Sequence, residues 1–305
     1  MASKRVNGKR LAGLVLRWYA SHGRTLPWRN TRNPYRILIS ETMLQQTQVQ
    51  RVLTRYPEFL RRFPTVRSLA NAPLRDVVII WRGMGYNNRA VRLHLLARSV
   101  VETHGGALPD NRERLRALPG IGRYTANALL SFAFGKSVPV VDVNVRRVLS
   151  RVLWKMESIS AVQAEKPVWN AAEALLPPGR AYDWNQALMD LGATICTARA
   201  PRCGHCPAVS LCASRGSMRR TGDAAPKKVR SFNGLPFRAY RGRIVDALRE
   251  RKGGMRIEAL ARQIHAGFSR RNERWLTSLI HGLERDGLIT TTGSGPMIDR
   301  RIALA

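Results

Sequence analysis

Residues Leu118–Val145 read LPGIGRYTANALLSFAFGKSVPVVDVNV. The stretch opens on Pro119-Gly120-Ile121-Gly122, a glycine-bearing turn between two apolar-periodic segments, 111–118 and 122–134, whose spacing predicts helices. Glycines at 120 and 122 permit positive φ and close backbone approach. The free amides that follow such a turn can face an anion such as a phosphate. The stretch closes on Asp142, where a new helix is predicted to start, with Val145, Val148, Leu149, Val152 and Leu153 along one face. An Asp in that place caps the first-turn amides of its helix. Read alone, this is a helix–hairpin–helix followed by a capped helix, and any chemistry has to come from its surroundings.

Those surroundings are strongly basic. The chain has 305 residues, enough for two compact domains, with 52 Lys+Arg against 20 Asp+Glu and a net charge of +32. Such an excess repels itself unless a polyanion is the partner, which places nucleic acid first and a membrane surface second. No apolar run approaches the roughly 20 residues of a spanning helix. Near the start, LAGLVLRW is broken by Arg17, so no signal peptide is expected. All four cysteines lie between 196 and 212, which points to a metal site in a reducing compartment and away from a disulfide scaffold. A cytosolic nucleic-acid-binding protein is expected, with no membrane partner.

Outward from the hairpin, helical spacing recurs at 9–22, 35–50, 49–63, 66–71, 74–81, 87–104, 161–176 and 184–195, with Pro and Gly at the breaks. Strand-like alternation is confined to Ser137–Val141. An all-α body over residues 1–213 follows. Residues 214–234, polar, basic and rich in Gly, Pro and Ser, read as a linker. Beyond it, helices at 237–251, 256–265 and 270–286 precede a hairpin around Gly293-Ser294-Gly295, so 235–305 has the outline of a winged helix. Arg270, Arg271, Arg274, Arg300 and Arg301 are its candidate phosphate contacts.

The cysteines are spaced Cys196-x6-Cys203-x2-Cys206-x5-Cys212. Four thiolates in so short a loop suit a [4Fe–4S] cluster or a structural zinc. Zinc sites favour two short C-x2-C pairs, and only 203/206 makes one, so iron–sulfur comes first.

With that loop placed behind LPGIG and Asp142, the chain resembles the endonuclease III-type, iron–sulfur, helix–hairpin–helix DNA glycosylases. Its N-terminal half is similar to their MutY-type adenine glycosylases, through Leu26-Pro-Trp-Arg29, Asn33-Pro-Tyr-Arg36, Ser40-Glu-Thr-Met-Leu-Gln-Gln-Thr47, Gly83-Met-Gly-Tyr86 and Asn185-Gln-Ala-Leu-Met-Asp-Leu-Gly192. The resemblance covers about residues 10–213. It implies an enzyme of base excision repair that acts on double-stranded DNA carrying a mismatch and removes adenine opposite 8-oxoguanine or guanine.

It also implies roles. Asp142 would stabilise or trap the positive sugar, with Asn144 orienting it or the water. Glu41 would be the general acid that protonates the departing adenine and then activates water. Tyr124 stands where the strand-cutting branch has a Schiff-base lysine; a tyrosine forms no imine, so a monofunctional enzyme is expected. Gln45, Gln46 and Tyr86 would plug and wedge the duplex as the base leaves the stack, with Gly120, Gly122 and Arg29 also on the DNA. The family often has a second aromatic after Tyr86; here it is Asn87. Many adenine glycosylases carry a Nudix-like domain that reads 8-oxoguanine, and here a winged-helix-like module stands in its place. Two alternatives remain open: a thymine or uracil mismatch glycosylase of the same fold, and a non-enzymatic iron–sulfur, winged-helix DNA-binding regulator.

Overall fold

The computed structural model describes residues 6–154, 165–216 and 229–305. Helices carry the chain as far as Thr194: α1 (Gly8–His22), α2 (Pro34–Leu44), α3 (Val49–Arg62), α4 (Val66–Ala70), α5 (Leu74–Ile80), α6 (Asn88–His104), α7 (Arg112–Ala117), α8 (Arg123–Phe132), α9 (Val143–Trp154), α10 (Glu165–Ala174) and α11 (Ala181–Thr194). Their ends have local causes. Asn7 accepts from the Arg10 amide at 3.0 Å to start α1, Thr65 and Ser68 form a capping box on α4, and Gly105 ends α6 in the left-handed region. The body is all-α, as expected, with three local differences. The helix predicted to run to residue 50 stops at Leu44, because Gln46 takes φ +55 and turns the chain. The helix predicted from 184 starts three residues earlier, at Ala181. Ser137–Val141 is not a strand: the Val140 amide donates to Asn185 Oδ1, and the Val138 and Pro139 carbonyls accept from Asn185 and Asn127. Side-chain amides occupy the groups that a neighbouring strand would use. Residues 161–164 of one predicted helix lie outside the described residues, as do residues 217–228 of the expected linker.

The described chain forms two interleaved units. One gathers the chain before Ile39, Pro109–Ala117, and Ile121 onward through the cysteine loop. Its core lies where α1, α9 and α11 pack, on Leu11, Val15, Val145, Leu149, Val152, Trp184, Leu188 and Leu191. Burying each such side chain is worth roughly 1.5–3 kcal/mol.

The other unit joins Ile39–Leu108 and Leu118–Gly120 to the C-terminal residues. Here α3 to α6 enclose Val52, Leu69, Val77, Leu93 and an aromatic group in which Phe59 meets Trp81 edge-on at 5.9 Å. The C-terminal part begins with a short hairpin, β1 (Ser231–Phe232) and β2 (Leu235–Pro236). It continues through α12 (Phe237–Arg249), β3 (Met255–Arg256), α13 (Ile257–Ile264), α14 (Glu273–Arg285), β4 (Ile289–Thr292) and β5 (Arg301–Leu304). The antiparallel sheet runs β3-β5-β4, pairing Met255 with Ile302 and Thr290 with Ala303. Three helices with this sheet are the winged-helix arrangement. No helix among the described residues is long and apolar enough to cross a membrane.

Candidate active site

The hairpin joins α7 to α8. Gly120 sits at φ +80, a conformation that any side chain would strain. Gly122 has ordinary φ and caps α8 without a side-chain hydrogen bond, and a Cβ built there would meet open space. Gly122 therefore puts no side chain over the first turn of α8 on the side that a phosphate would approach. Tyr124 lies half-buried in that turn. Beside it Arg123 stacks on Trp169 with its guanidinium carbon 3.9 Å from the ring centre, a structural place that takes it out of the chemistry.

Asp142 begins α9. Its Oδ1 accepts from the Val145 amide and its Oδ2 from Asn144 Nδ2, each at 2.7 Å. Burial raises the carboxyl above the ordinary aspartate range, and these bonds with nearby Arg147 pull the other way; the net shift is upward. The cap and the expected chemistry thus fall on one carboxylate. Asn144 is held in turn: its Oδ1 accepts from Arg147 Nη2 at 2.7 Å, and Arg147 also donates to the carbonyls of Gly192 and Cys196, both at 2.7 Å. Gly192 makes this possible, since a Cβ there would stand 2.6 Å from Asn144 Cβ. A continuous chain of hydrogen bonds therefore runs from Asp142 to the first cysteine. Arg147 was not among the expected residues; its only trace in sequence is a basic residue one turn after Asn144.

Cys196, Cys203, Cys206 and Cys212 are free thiols, half-buried around one cavity with Val148, Val152, Leu191 and Ile195. Burial pushes Cys206 up to about 11, with the other three sulfurs adding to it, and Cys212 also upward. Four thiolates ionise together in such a place only against a cation. Among the described residues no three His, Cys, Asp or Glu side chains converge on a point that one ion would fill. Arg151, buried among them, donates to Cys196 Sγ at 3.4 Å and to the carbonyls of Thr197 and Ala198.

The second unit holds the other expected residues. Glu41 is buried, 5% exposed, near the end of α2 behind Ile39 and Ser40. Gln45 and Gln46 are exposed in the turn after α2. Tyr86 is 49% exposed at φ +44, a left-handed backbone that a bulky residue seldom adopts. Arg89 joins the two turns. Its guanidinium donates to the carbonyls of Thr42, Met43, Gln45, Met84 and Gly85 and to the Thr47 hydroxyl, at 2.6–3.1 Å. It lies 5.7 Å under the Tyr86 ring centre. Burial lowers Arg89 to about 10. Sequence reading missed it, since one Arg among fifty-two basic residues carries no mark of burial.

Arg29 does not belong with the DNA contacts. Its side chain is 8% exposed, and both terminal nitrogens bind the fully buried Asp190, at 2.7 and 2.8 Å. Arg24 shares that carboxylate at 2.7 Å. The terminal nitrogens of Arg29 are committed inside the fold and its Nε is buried, so no donor of Arg29 faces a phosphate.

Comparison with known proteins gives the class. Residues 39–174 match the HhH-GPD superfamily of base excision DNA repair proteins. The adenine DNA glycosylase of Mycobacterium tuberculosis is 37% identical over 297 residues, covering 95% of this chain and 92% of that protein. The human adenine DNA glycosylase is 44% identical over 212 residues; the match covers 67% of this chain and only 39% of the human protein. A solved thermostable thymine-DNA glycosylase is 34% identical, covers 69% of this chain and 97% of its own, and superposes with a TM-score of 0.65. The chain belongs to the adenine DNA glycosylases, the MutY type within the endonuclease III superfamily.

Proposed function

We propose that this chain binds duplex DNA and removes adenine mispaired with 8-oxoguanine or guanine, hydrolysing the N-glycosidic bond and leaving the strand intact. The observation that carries the reading is Asp142, fixed by Val145 and Asn144 at the head of α9, in a chain collinear with an adenine DNA glycosylase over nearly its whole length. Glu41 gives a proton to the adenine ring, and the C1′–N bond breaks with its electron pair going to the base. Asp142, ionised, stabilises the positive sugar or adds to it. Glu41, now a carboxylate, takes a proton from the water that completes hydrolysis at C1′. Tyr124 supplies no amine, so no imine forms and no strand is cut. Gly120 and Gly122 bring the first amides of α8 to a backbone phosphate, while Gln45, Gln46 and Tyr86 fill and pry the stack.

Cys196, Cys203, Cys206 and Cys212 are proposed to hold a [4Fe–4S] cluster, which when bound would tie the two ends of their loop together; zinc comes second. The proposed parts are a glycosylase body over 1–213, a linker over 214–230 in place of the expected 214–234, since Ser231–Phe232 already forms β1, and a winged-helix module to 305. The protein is proposed to work as a monomer on the nucleoid.

The test uses labelled duplexes carrying A:8-oxoG, A:G, T:G or U:G, with abasic sites then split by alkali. Release from the adenine duplexes, and none without alkali, is the expected result. Release from T:G or U:G alone overturns the adenine assignment. Release from none favours the non-enzymatic regulator.

A further inference from the structure

Arg249, the last residue of α12, is 7% exposed, yet the cation lies away from its own module's core. Its Nε donates to the Val78 carbonyl at 3.0 Å, and its Nη2 to Asn87 Oδ1 at 3.0 Å. Asp246, one turn back on α12, pairs with its remaining nitrogen. Around it, Arg75 donates to the Arg249 carbonyl at 3.2 Å, Arg82 pairs with Glu250, and α12 packs on α5. The C-terminal module is thus seated on residues 75–91 of its own unit, with Arg249 as the buried peg.

Asn87 is the informative partner. It occupies the N-cap of α6, where an asparagine ordinarily accepts from an amide of its own helix. It makes no such cap here: its backbone is helical and not extended, and its Oδ1 accepts from Arg249 instead. Asn87 is also covalently next to Tyr86, whose left-handed backbone must be over-determined by its surroundings to persist. Arg89 holds that turn from one side through the Met84 and Gly85 carbonyls. Arg249 holds it from the other.

We infer that Arg249 is a positioning residue through which the C-terminal module sets the Tyr86 turn for base extrusion. The module then contributes to the rate at which the target base reaches the active site, and not to duplex affinity alone. The inference rests on Tyr86 being the wedge, as proposed above.

The experiment uses the full-length holoprotein in four single forms: wild type, Arg249→Met, Asn87→Ala and Tyr86→Ala. Each is given a duplex with 2-aminopurine beside the target adenine, opposite 8-oxoguanine. Single-turnover excision, the fluorescence rise on unstacking and duplex Kd are read together. Arg249→Met and Asn87→Ala are each expected to slow excision on the order of tenfold and to reduce the fluorescence rise, as misplacement of a positioning group does. Duplex Kd should stay within about threefold. The Arg249→Met, Asn87→Ala double variant should be no slower than Arg249→Met, since both remove one contact. If Arg249→Met fails to fold, Asn87→Ala gives the same reading with the peg still bonded to Val78. Wild-type excision and fluorescence in Asn87→Ala or in a folded Arg249→Met, with Tyr86→Ala impaired, overturn this inference alone. Wild-type behaviour in Tyr86→Ala overturns the wedge reading and this inference with it.

Discussion

Asp142 has two duties, the cap it makes and the chemistry proposed for it, that conflict. As an ionised N-cap it must sit where burial raises its pKa, so the form that chemistry needs is the one the fold disfavours. A carboxyl raised in the folded state contributes stability below its unfolded pKa and loses it as pH rises through the folded one. In an Asp142→Asn variant the side-chain oxygen would keep the Val145 bond without the buried charge. Its Nδ2 would, however, face the Asn144 donor, so the difference to be read is the pH dependence: the wild-type melting temperature is expected to fall relative to that variant as pH rises above the ordinary aspartate range, in a thermal melt series in pH. Wild-type excision should lose rate on its acid side above that same range. Asp142 was readable in sequence, because one residue's position before an apolar face marks a cap. Arg147 and Arg89 were not: their value comes from carbonyls 45 or more residues away in sequence for Arg147, and on two separate turns for Arg89. Arg89→Met removes all the bonds that the guanidinium donates to the two turns, and is expected to cost about 2–4 kcal/mol of stability in chemical denaturation.

Most elements were legible from apolar spacing and from Pro and Gly at the breaks. What escaped was backbone satisfied by distant side chains. Val138–Val141 has the composition of a strand, but Asn127 and Asn185 bind its backbone, and only the folded α8 and α11 bring them there. Arg29 misled in the opposite direction, since the resemblance carried by Leu26-Pro-Trp-Arg29 put it on the DNA. Its partner Asp190 lies 161 residues along on α11. Burial pushes the Asp190 carboxyl up, but Arg29 and Arg24 outweigh it and hold its pKa below the ordinary value. This group stabilises the fold above its unfolded pKa and loses that contribution as pH falls through the lower, folded one. Asp190→Asn leaves Arg29 buried without its counter-charge and is expected to cost about 3–5 kcal/mol at neutral pH, measured by denaturant melts.

The charge of +32 belongs to the whole molecule and was legible from composition alone. Duplex affinity is expected to fall steeply and linearly on a log–log plot against salt, and a shallow slope in a titration would remove the polyanion argument. The interleaving of the two units was not legible, because residues 118–120 and the C-terminal part join the Ile39–Leu108 unit through contacts that no local pattern announces. Nor was the use of Asn87, a departure from the family pattern whose partner lies 162 residues away. The central claim, that Glu41 and Asp142 together hydrolyse the adenine bond, is tested most directly by single-turnover adenine release from one A:8-oxoG duplex. Wild type, Glu41→Gln and Asp142→Asn are compared at saturating protein. Release by the wild type is expected, with a loss of at least about a hundredfold in each variant and duplex binding retained. Wild-type release by either variant would contradict it.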